Sequence, residues 1–255
     1  MGKGHRDKVA VVSGAAEGLG QAFALRLAED GVHIVIADRK GADDTVKKIK
    51  AHAREALAVS CDVSSESDVA ALAKTVELKF NRCDILVNAA GIYPPQPFAD
   101  MSFADWRRML SINLDSMFLM TKAFAAGMRS RRWGRIVNVA SDTVSQAMPN
   151  YVHYITSKMG VIGFTRAIAS EFGPDGVTAN VIAPGLTRTP GTLARGNWPG
   201  GKSAEEFFEI AGTHHPIPRV GTPDDMVGTV SYLTSDDAAY VTGQTLFVCG
   251  GLVRA

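Results

Sequence analysis

Apolar residues fall along this chain in two alternating rhythms. Short runs that are apolar at nearly every position, rich in Val and Ile, recur at Lys8–Ser13, His33–Asp38, Ala56–Asp62, Asp84–Ala90, Gly134–Ser141, Thr178–Gly185 and Thr245–Gly250. Between them lie longer stretches with helical spacing, among them Gln21–Gly31, Phe103–Arg129 and Val152–Phe172. A strand that is apolar throughout is covered on both faces, and such strands separated by helices predict a parallel sheet. Right-handed crossovers then give an α/β fold: one doubly wound parallel sheet of about seven strands with helices on both faces. No linker divides the pattern, so residues 1–255 are expected to form a single domain. One segment breaks the rhythm. Arg188–Arg219 is rich in Gly and Pro and carries Trp198, Phe207 and Phe208, which predicts a binding loop or substrate lid over about 188–219.

Composition narrows the class. The 255 residues are 46% hydrophobic, enough for a sizeable core, and 27 basic against 26 acidic side chains leave a net charge of +1. That balance lacks the basic surface that nucleic acid requires, and no apolar run reaches membrane-spanning length. Cys61, Cys83 and Cys249 are an odd set without metal-like spacing and read as buried free thiols in a reducing compartment. The basic N-terminus leads into too short an apolar run for a signal peptide, and Arg6 replaces the Ser/Thr of a myristoylation signal. A cytoplasmic location is therefore expected. His214–His215 have no acidic or cysteine companions nearby, so no metal site is expected.

The turn after the first strand reads SGAAEGLG, Ser13–Gly20. Gly14, Gly18 and Gly20, with Glu17 and Leu19 between them, sit where a strand turns into a helix. Glycines there let backbone approach a pyrophosphate at a helix N-terminus, the arrangement of a dinucleotide-binding Rossmann sheet. Asp38 ends the second strand. Its carboxylate can accept from both hydroxyls of an adenosine ribose and repels a 2′-phosphate. Arg39 could instead pair with such a phosphate. Glu17 inside the turn weighs against that, so NAD is the expected cofactor, with Arg39 stacked on adenine or facing water. Asp62 and Val63 after the third strand suit the adenine edge. The NAAG run, with Asn88, Ala89 and Gly91, brings backbone to the cofactor.

In NYVHYITSKMG, Tyr154 and Lys158 are four residues apart and share a helix face. A phenol beside an ammonium has its pKa lowered from about 10 and becomes a general base for an alcohol. By itself the spacing more often marks a core tyrosine with a solvated lysine nearby, because short spacings recur by chance.

The assembled order resembles the classical short-chain dehydrogenase/reductase family from about Lys8 onward. It runs from the glycine turn through Asp62, NAAG, Asn113 in SINLDS, Ser141 in VNVAS, Tyr154 and Lys158 in YITSK, to Pro184–Gly185 with Thr187 and Thr189. The resemblance selects Tyr154 over Tyr151, because Tyr154 follows Ser141 by thirteen residues. It implies Asn113, Ser141, Tyr154 and Lys158 as the catalytic set. Tyr154 would act as base, and Lys158 would lower its pKa and hold the nicotinamide ribose. Ser141 would donate to the substrate oxygen, Asn113 would hold a water leading to Lys158, and Thr187 and Thr189 would hold the carboxamide. It also implies subunits paired through the Phe103–Arg129 and Val152–Phe172 helices in a homotetramer. Three positions depart from the family pattern: Ser13 for Thr, Ala89 for Asn and Cys249 for Asp. Tyr93, Ser141, Asp142, Thr143, Tyr154, Leu186, Phe207 and Phe208 are the expected substrate pocket.

Several stretches are similar to the (S)-1-phenylethanol dehydrogenase and pyridoxal 4-dehydrogenase branches. That similarity implies NAD-dependent oxidation of a secondary or aryl-type alcohol. Two other readings stay open: an NADPH-dependent reductase of 3-oxoacyl thioesters, and a non-catalytic nucleotide-sensing protein.

Overall fold

The computed structural model describes residues 3–196 and 198–254. Every expected strand forms: β1 Val9–Ser13, β2 His33–Asp38, β3 Ala56–Ser60, β4 Ile85–Asn88, β5 Gly134–Val139, β6 Val177–Pro184 and β7 Thr245–Val248. They make one seven-stranded sheet in the order β3-β2-β1-β4-β5-β6-β7, parallel throughout. The helices are α1 Gly18–Glu29, α2 Asp43–Ala51, α3 Glu66–Phe80, α4 Phe103–Leu110, α5 Ser116–Ser130, α6 Thr143–Gln146, α7 Val152–Phe172, α8 Pro190–Leu193, α9 Ala204–Gly212 and α10 Pro223–Leu233.

Side-chain alternation along the strands builds two apolar layers. Val9 and Val11 of β1 pack with Leu72 of α3, Phe124 of α5 and Ile168 of α7. Ala10 and Val12 pack on the opposite face with Phe23 and Leu27 of α1, Ile49 of α2 and Val230 of α10. The order reverses at β1 and β4, so their C-terminal ends open a crevice where such sheets bind ligands. β4 ends sooner than its apolar run because the amides of Ala89 and Ala90 leave the ladder and donate to Ser13 Oγ, at 3.0 and 3.1 Å.

The expected helix over Phe103–Arg129 is interrupted. Ser111–Asp115 forms a π-helical turn between α4 and α5, and the extra residue of such a turn redirects its side chains. Asn113 is thereby fully buried. Its Oδ1 accepts from the Ile92 amide at 2.9 Å, and its Nδ2 donates to the Ile92 carbonyl at 2.8 Å and to Ser157 Oγ at 3.2 Å.

A second buried chain fixes α7 on the sheet. Asn88 Nδ2 donates to Asn138 Oδ1 at 2.8 Å, Asn138 Nδ2 to Thr165 Oγ1 at 2.9 Å, and Thr165 Oγ1 to the Val161 carbonyl at 2.7 Å. Asn88 Oδ1 alone in this hydrogen-bonded chain has no partner among the described residues, and the remaining bonds hold the helix rigidly on the sheet.

The Arg188–Arg219 segment contains α8, a 3-10 turn at Pro199–Gly201 and α9. Ser203 caps α9 in a box with Glu206. Trp198, Phe208 and Val220 form an apolar cluster of their own beneath it. Among the described residues, no helix is long and apolar enough to cross a membrane.

Candidate active site

A continuous cleft of about 1360 Å³ runs across the C-terminal ends of the strands. At one end it is lined by the Gly14–Gly20 turn, Asp38, Arg39, Asp62 and Val63. Gly14 adopts φ +68°, and a Cβ there would lie 2.8 Å from Ala90 Cα, closer than a side chain tolerates. Gly18, at φ +63°, makes the same left-handed turn into α1. Glu17 precedes α1 without capping it, and the first turn of the helix holds no acid. The helix N-terminus is thus left for an anion from outside.

The acids around this end are tied down. Asp38 Oδ2 accepts from the Ala16 amide and Oδ1 from the Lys40 amide, both at 2.9 Å. Glu17 is paired with Lys40 Nζ at 2.6 Å, a partner that the sequence reading missed because 23 residues separate the two. Arg39 largely faces water, as one of its expected placements, and its Nη1 lies 3.5 Å from Asp62 Oδ2. Hydrogen bonds from Ser64 hold the Asp62 carboxyl below its ordinary pKa.

The middle of the cleft is lined by Ala89, Gly91, Pro184, Gly185, Thr187 and Thr189. Thr187 Oγ1 donates to the Gly185 carbonyl at 2.8 Å, and Thr189 Oγ1 caps α8 by accepting from the Thr192 amide at 3.2 Å. The size of the cleft, the glycine cradle and the uncapped helix end together fit a dinucleotide.

At the other end stand Tyr93, Ser141, Asp142, Thr143, Leu186 and Phe207. Tyr154 and Lys158 project from α7 into the same space. Ser141 follows β5, and its Oγ accepts from the Thr143 amide at 3.2 Å. Lys158 Nζ is 5.8 Å from the Tyr154 ring centre and donates to the Val139 carbonyl at 2.8 Å. Burial lowers the Lys158 pKa to about 8. The expected lowering of the Tyr154 pKa does not occur in the protein by itself. Burial raises it above the ordinary tyrosine value, with a hydrogen bond to Ser141 working the other way. Desolvation wins because the ammonium is directed at a carbonyl rather than at the phenol. Burial likewise raises the Asp142 carboxyl, to about 7, and its Oδ2 has no hydrogen-bond partner among the described residues.

Four expected site residues do not line the cleft. Ser13 and Asn88 stand behind it as backbone and sheet supports. Asn113 is occupied by Ile92 and Ser157. It meets Lys158 only behind Gly91, where a Cβ would lie 3.2 Å from Asn113 Oδ1 and 3.5 Å from Lys158 Nζ. Phe208 is 1% exposed and packs edge-on against Trp198, with ring centres 5.3 Å apart. Helical geometry sends adjacent residues to different sides, so Phe207 reaches the cleft and Phe208 anchors the segment.

The structure adds Tyr151 and Arg195 to the cleft. The Tyr151 ring is 5.9 Å from that of Tyr154, and Arg195 Nη1 donates to its hydroxyl at 2.6 Å. Nothing in the sequence pairs residues 44 apart. The described residues contain no group of three or more His, Cys, Asp or Glu that could hold a metal ion.

A family model described as Enoyl-(Acyl carrier protein) reductase matches residues 14–253. The chain is 38% identical over 250 residues to a 3-oxoacyl-[acyl-carrier-protein] reductase of Synechocystis sp., covering 96% of this chain and 97% of that one. It is 36% identical over 250 residues to the (2S)-[(R)-hydroxy(phenyl)methyl]succinyl-CoA dehydrogenase subunit BbsD of Thauera aromatica, covering 97% of each. Among solved structures, an actinorhodin polyketide ketoreductase with NADPH superimposes with a TM-score of 0.91 at 34% identity, over 98% of both chains. With the glycine turn, the strand-end acid and the Ser141, Tyr154 and Lys158 constellation brought into one cleft, the chain belongs to the classical short-chain dehydrogenase/reductase family of nicotinamide-dependent oxidoreductases.

Proposed function

We propose that this protein oxidises a secondary or aryl-type alcohol with NAD. The observation that carries the reading is the substrate end of the cleft. There Ser141, Tyr154 and Lys158 meet walls that are apolar and aromatic, from Ile92, Tyr93, Tyr151, Trp198 and Phe207. Such walls bind a hydrocarbon or aryl body. The bound nicotinamide supplies the hydride acceptor for the carbinol carbon. Tyr154, as the phenolate that a bound, positively charged nicotinamide would favour, takes the alcohol proton, and Ser141 donates to the same oxygen as its charge changes. Lys158, with a pKa brought near 8 by burial, can hold ribose hydroxyls and pass the proton on. NAD rather than NADP is supported by Asp38, whose fixed carboxylate stands at the ribose end. Glu17 beside Lys40 and Asp62 beside Arg39 add two more carboxylates near these cations, which weighs against a 2′-phosphate. A relative whose name describes a hydroxy(phenyl)methyl dehydrogenase agrees with an aryl carbinol. Free buried cysteines agree with a cytoplasmic location.

The second reading, an NADPH-dependent reductase of 3-oxoacyl thioesters, is favoured by the names of other relatives. One experiment separates the two. A panel of secondary and aryl alcohols with NAD or NADP, and 3-oxoacyl thioesters with NADH or NADPH, is read by absorbance of the reduced cofactor. Alcohol oxidation with NAD is expected to have the highest kcat/KM, and Asp38→Ala is expected to narrow the NAD preference. Faster thioester reduction with NADPH would reverse the assignment.

A further inference from the structure

Arg195 is a cation that no carboxylate pairs among the described residues. It follows α8 and lines the substrate end of the cleft, yet no ion pair reaches it among the described residues. Its position is nonetheless fixed. The guanidinium carbon lies 4.4 Å from the Trp198 ring centre and 5.8 Å from that of Tyr151, and Nη1 donates to the Tyr151 hydroxyl at 2.6 Å. Two donors in this cluster are buried with no acceptor among the described residues, Arg195 Nε and Trp198 Nε1. Trp198 itself is 5% exposed. Stacking on an indole offsets part of the cost of desolvating a guanidinium, but a buried N–H left unpaired is costly, and native interiors rarely keep one without a reason. A planar guanidinium held face-on to an aromatic wall, with spare donors, is the group that reads a carboxylate in two-point fashion.

The nearby charges fit this role. Lys158 is committed to Val139, Glu17 is paired with Lys40 and Asp62 with Arg39, and Glu17 and Arg195 both act on Tyr93 between them. Asp142 is the acid at the substrate end, and its unpaired oxygen lies toward Gly185, where a Cβ would stand 3.2 Å away. Tyr151 stands between Arg195 and Tyr154, 5.9 Å from the latter by ring centres. An anion on Arg195 is therefore one aromatic ring removed from the reacting carbon.

We infer that Arg195, stacked on Trp198 and braced by Tyr151, receives a carboxylate at the far end of the substrate. The alcohol is then a hydroxy acid whose carbinol and carboxylate are separated by an apolar spacer, and its product is the corresponding oxo acid. This inference rests on the alcohol-oxidising reading above for its direction, though not for the binding site itself.

The test compares 4-phenyl-4-hydroxybutyrate with its methyl ester, in the wild type and in Arg195→Gln and Arg195→Lys. Wild type is expected to favour the acid over the ester about 10- to 100-fold in kcat/KM, the range for a charge-assisted hydrogen bond. Arg195→Gln should bring that ratio to about one, through KM for the acid, and Arg195→Lys should restore part of it. The ratio is internal to each variant, so a general loss of folding does not mimic the result. Calorimetric titration of the wild type and the same variants with 4-phenylbutyrate, which has no carbinol, reads the site without turnover. The glutamine variant should bind it about 10- to 100-fold more weakly. Equal use of acid and ester by the wild type, or unchanged 4-phenylbutyrate binding in Arg195→Gln, would overturn the proposal. If no alcohol is oxidised but 4-phenylbutyrate binding still depends on Arg195, the carboxylate site stands and the oxidative reading fails.

Discussion

Asp142 is a cleft carboxyl whose proton is held nearly to neutrality, because burial raises its pKa from 3.8 to about 7. A carboxyl with a raised folded-state pKa contributes stability that is complete below its unfolded value and is lost as pH rises through the folded one. Asp142→Asn keeps the shape and removes the charge. Its melting temperature is therefore expected to exceed that of the wild type by a few degrees at pH 8, with the gap closing near pH 5. An equal gap at both pH values would mean that Asp142 acts by packing alone. Tyr154→Phe should lower turnover by about 10²–10⁴-fold, the usual contribution of a general base, while NADH still binds as judged by its fluorescence. Tyr151→Phe should act mainly on KM, because its hydroxyl touches Arg195. Comparable kcat losses in the two would undo the choice between them. The motif residues Ser141, Tyr154 and Lys158 were legible in the sequence because their spacing is local or characteristic. Lys40, Tyr151 and Arg195 were not, since each is brought to its partner by the fold across 23 or 44 residues.

Elements followed apolar periodicity closely where packing alone decides them. Val152–Phe172 is both the expected helix and the observed one, and β2 has its expected bounds. The pattern failed where a polar side chain overrides it. Asn113 draws Ser111–Asp115 into a π turn inside an otherwise continuous helical pattern, and Ser13 shortens β4 by capturing two amides. Neither leaves an apolar signature to read. The same limit explains Phe208: the sequence puts two aromatic residues on a short helix, and only the direction of α9 decides which faces the cleft. The neighbours can be separated by experiment. Phe208→Ala, at a fully packed position, should lose about 3–5 kcal/mol of stability with little change in substrate preference. Phe207→Ala should leave the melting temperature nearly unchanged and raise KM for bulky alcohols more than for small ones. Calorimetry beside a size series of alcohols measures both, and identical behaviour of the two variants would show that α9 is oriented differently.

On the scale of the whole molecule, the described surface carries apolar side chains that a lone chain leaves in water. Phe103 on α4, Phe118 on α5, and Val152 and Met159 on α7 are exposed, Phe103 by 76%. Large apolar side chains exposed on three helices suit an association surface. We propose that these helices pair subunits in a homotetramer with two-fold interfaces. Light scattering at micromolar concentration should give a tetramer mass, and Phe118→Glu combined with Met159→Glu should give a smaller species. A monomeric wild type would refute this. The separate apolar cluster of Trp198, Phe208 and Val220 has a consequence of a different kind. It is distinct from the two large layers that flank the sheet, so the free energy holding it need not equal that of the domain. Backbone amides of α9 should then exchange with deuterium through a sub-global opening of low cost, while those of β1, β4 and β5 wait for global unfolding. The residues that enclose the substrate would come from the least stable cooperative unit, and the groups that perform proton transfer from the most stable one.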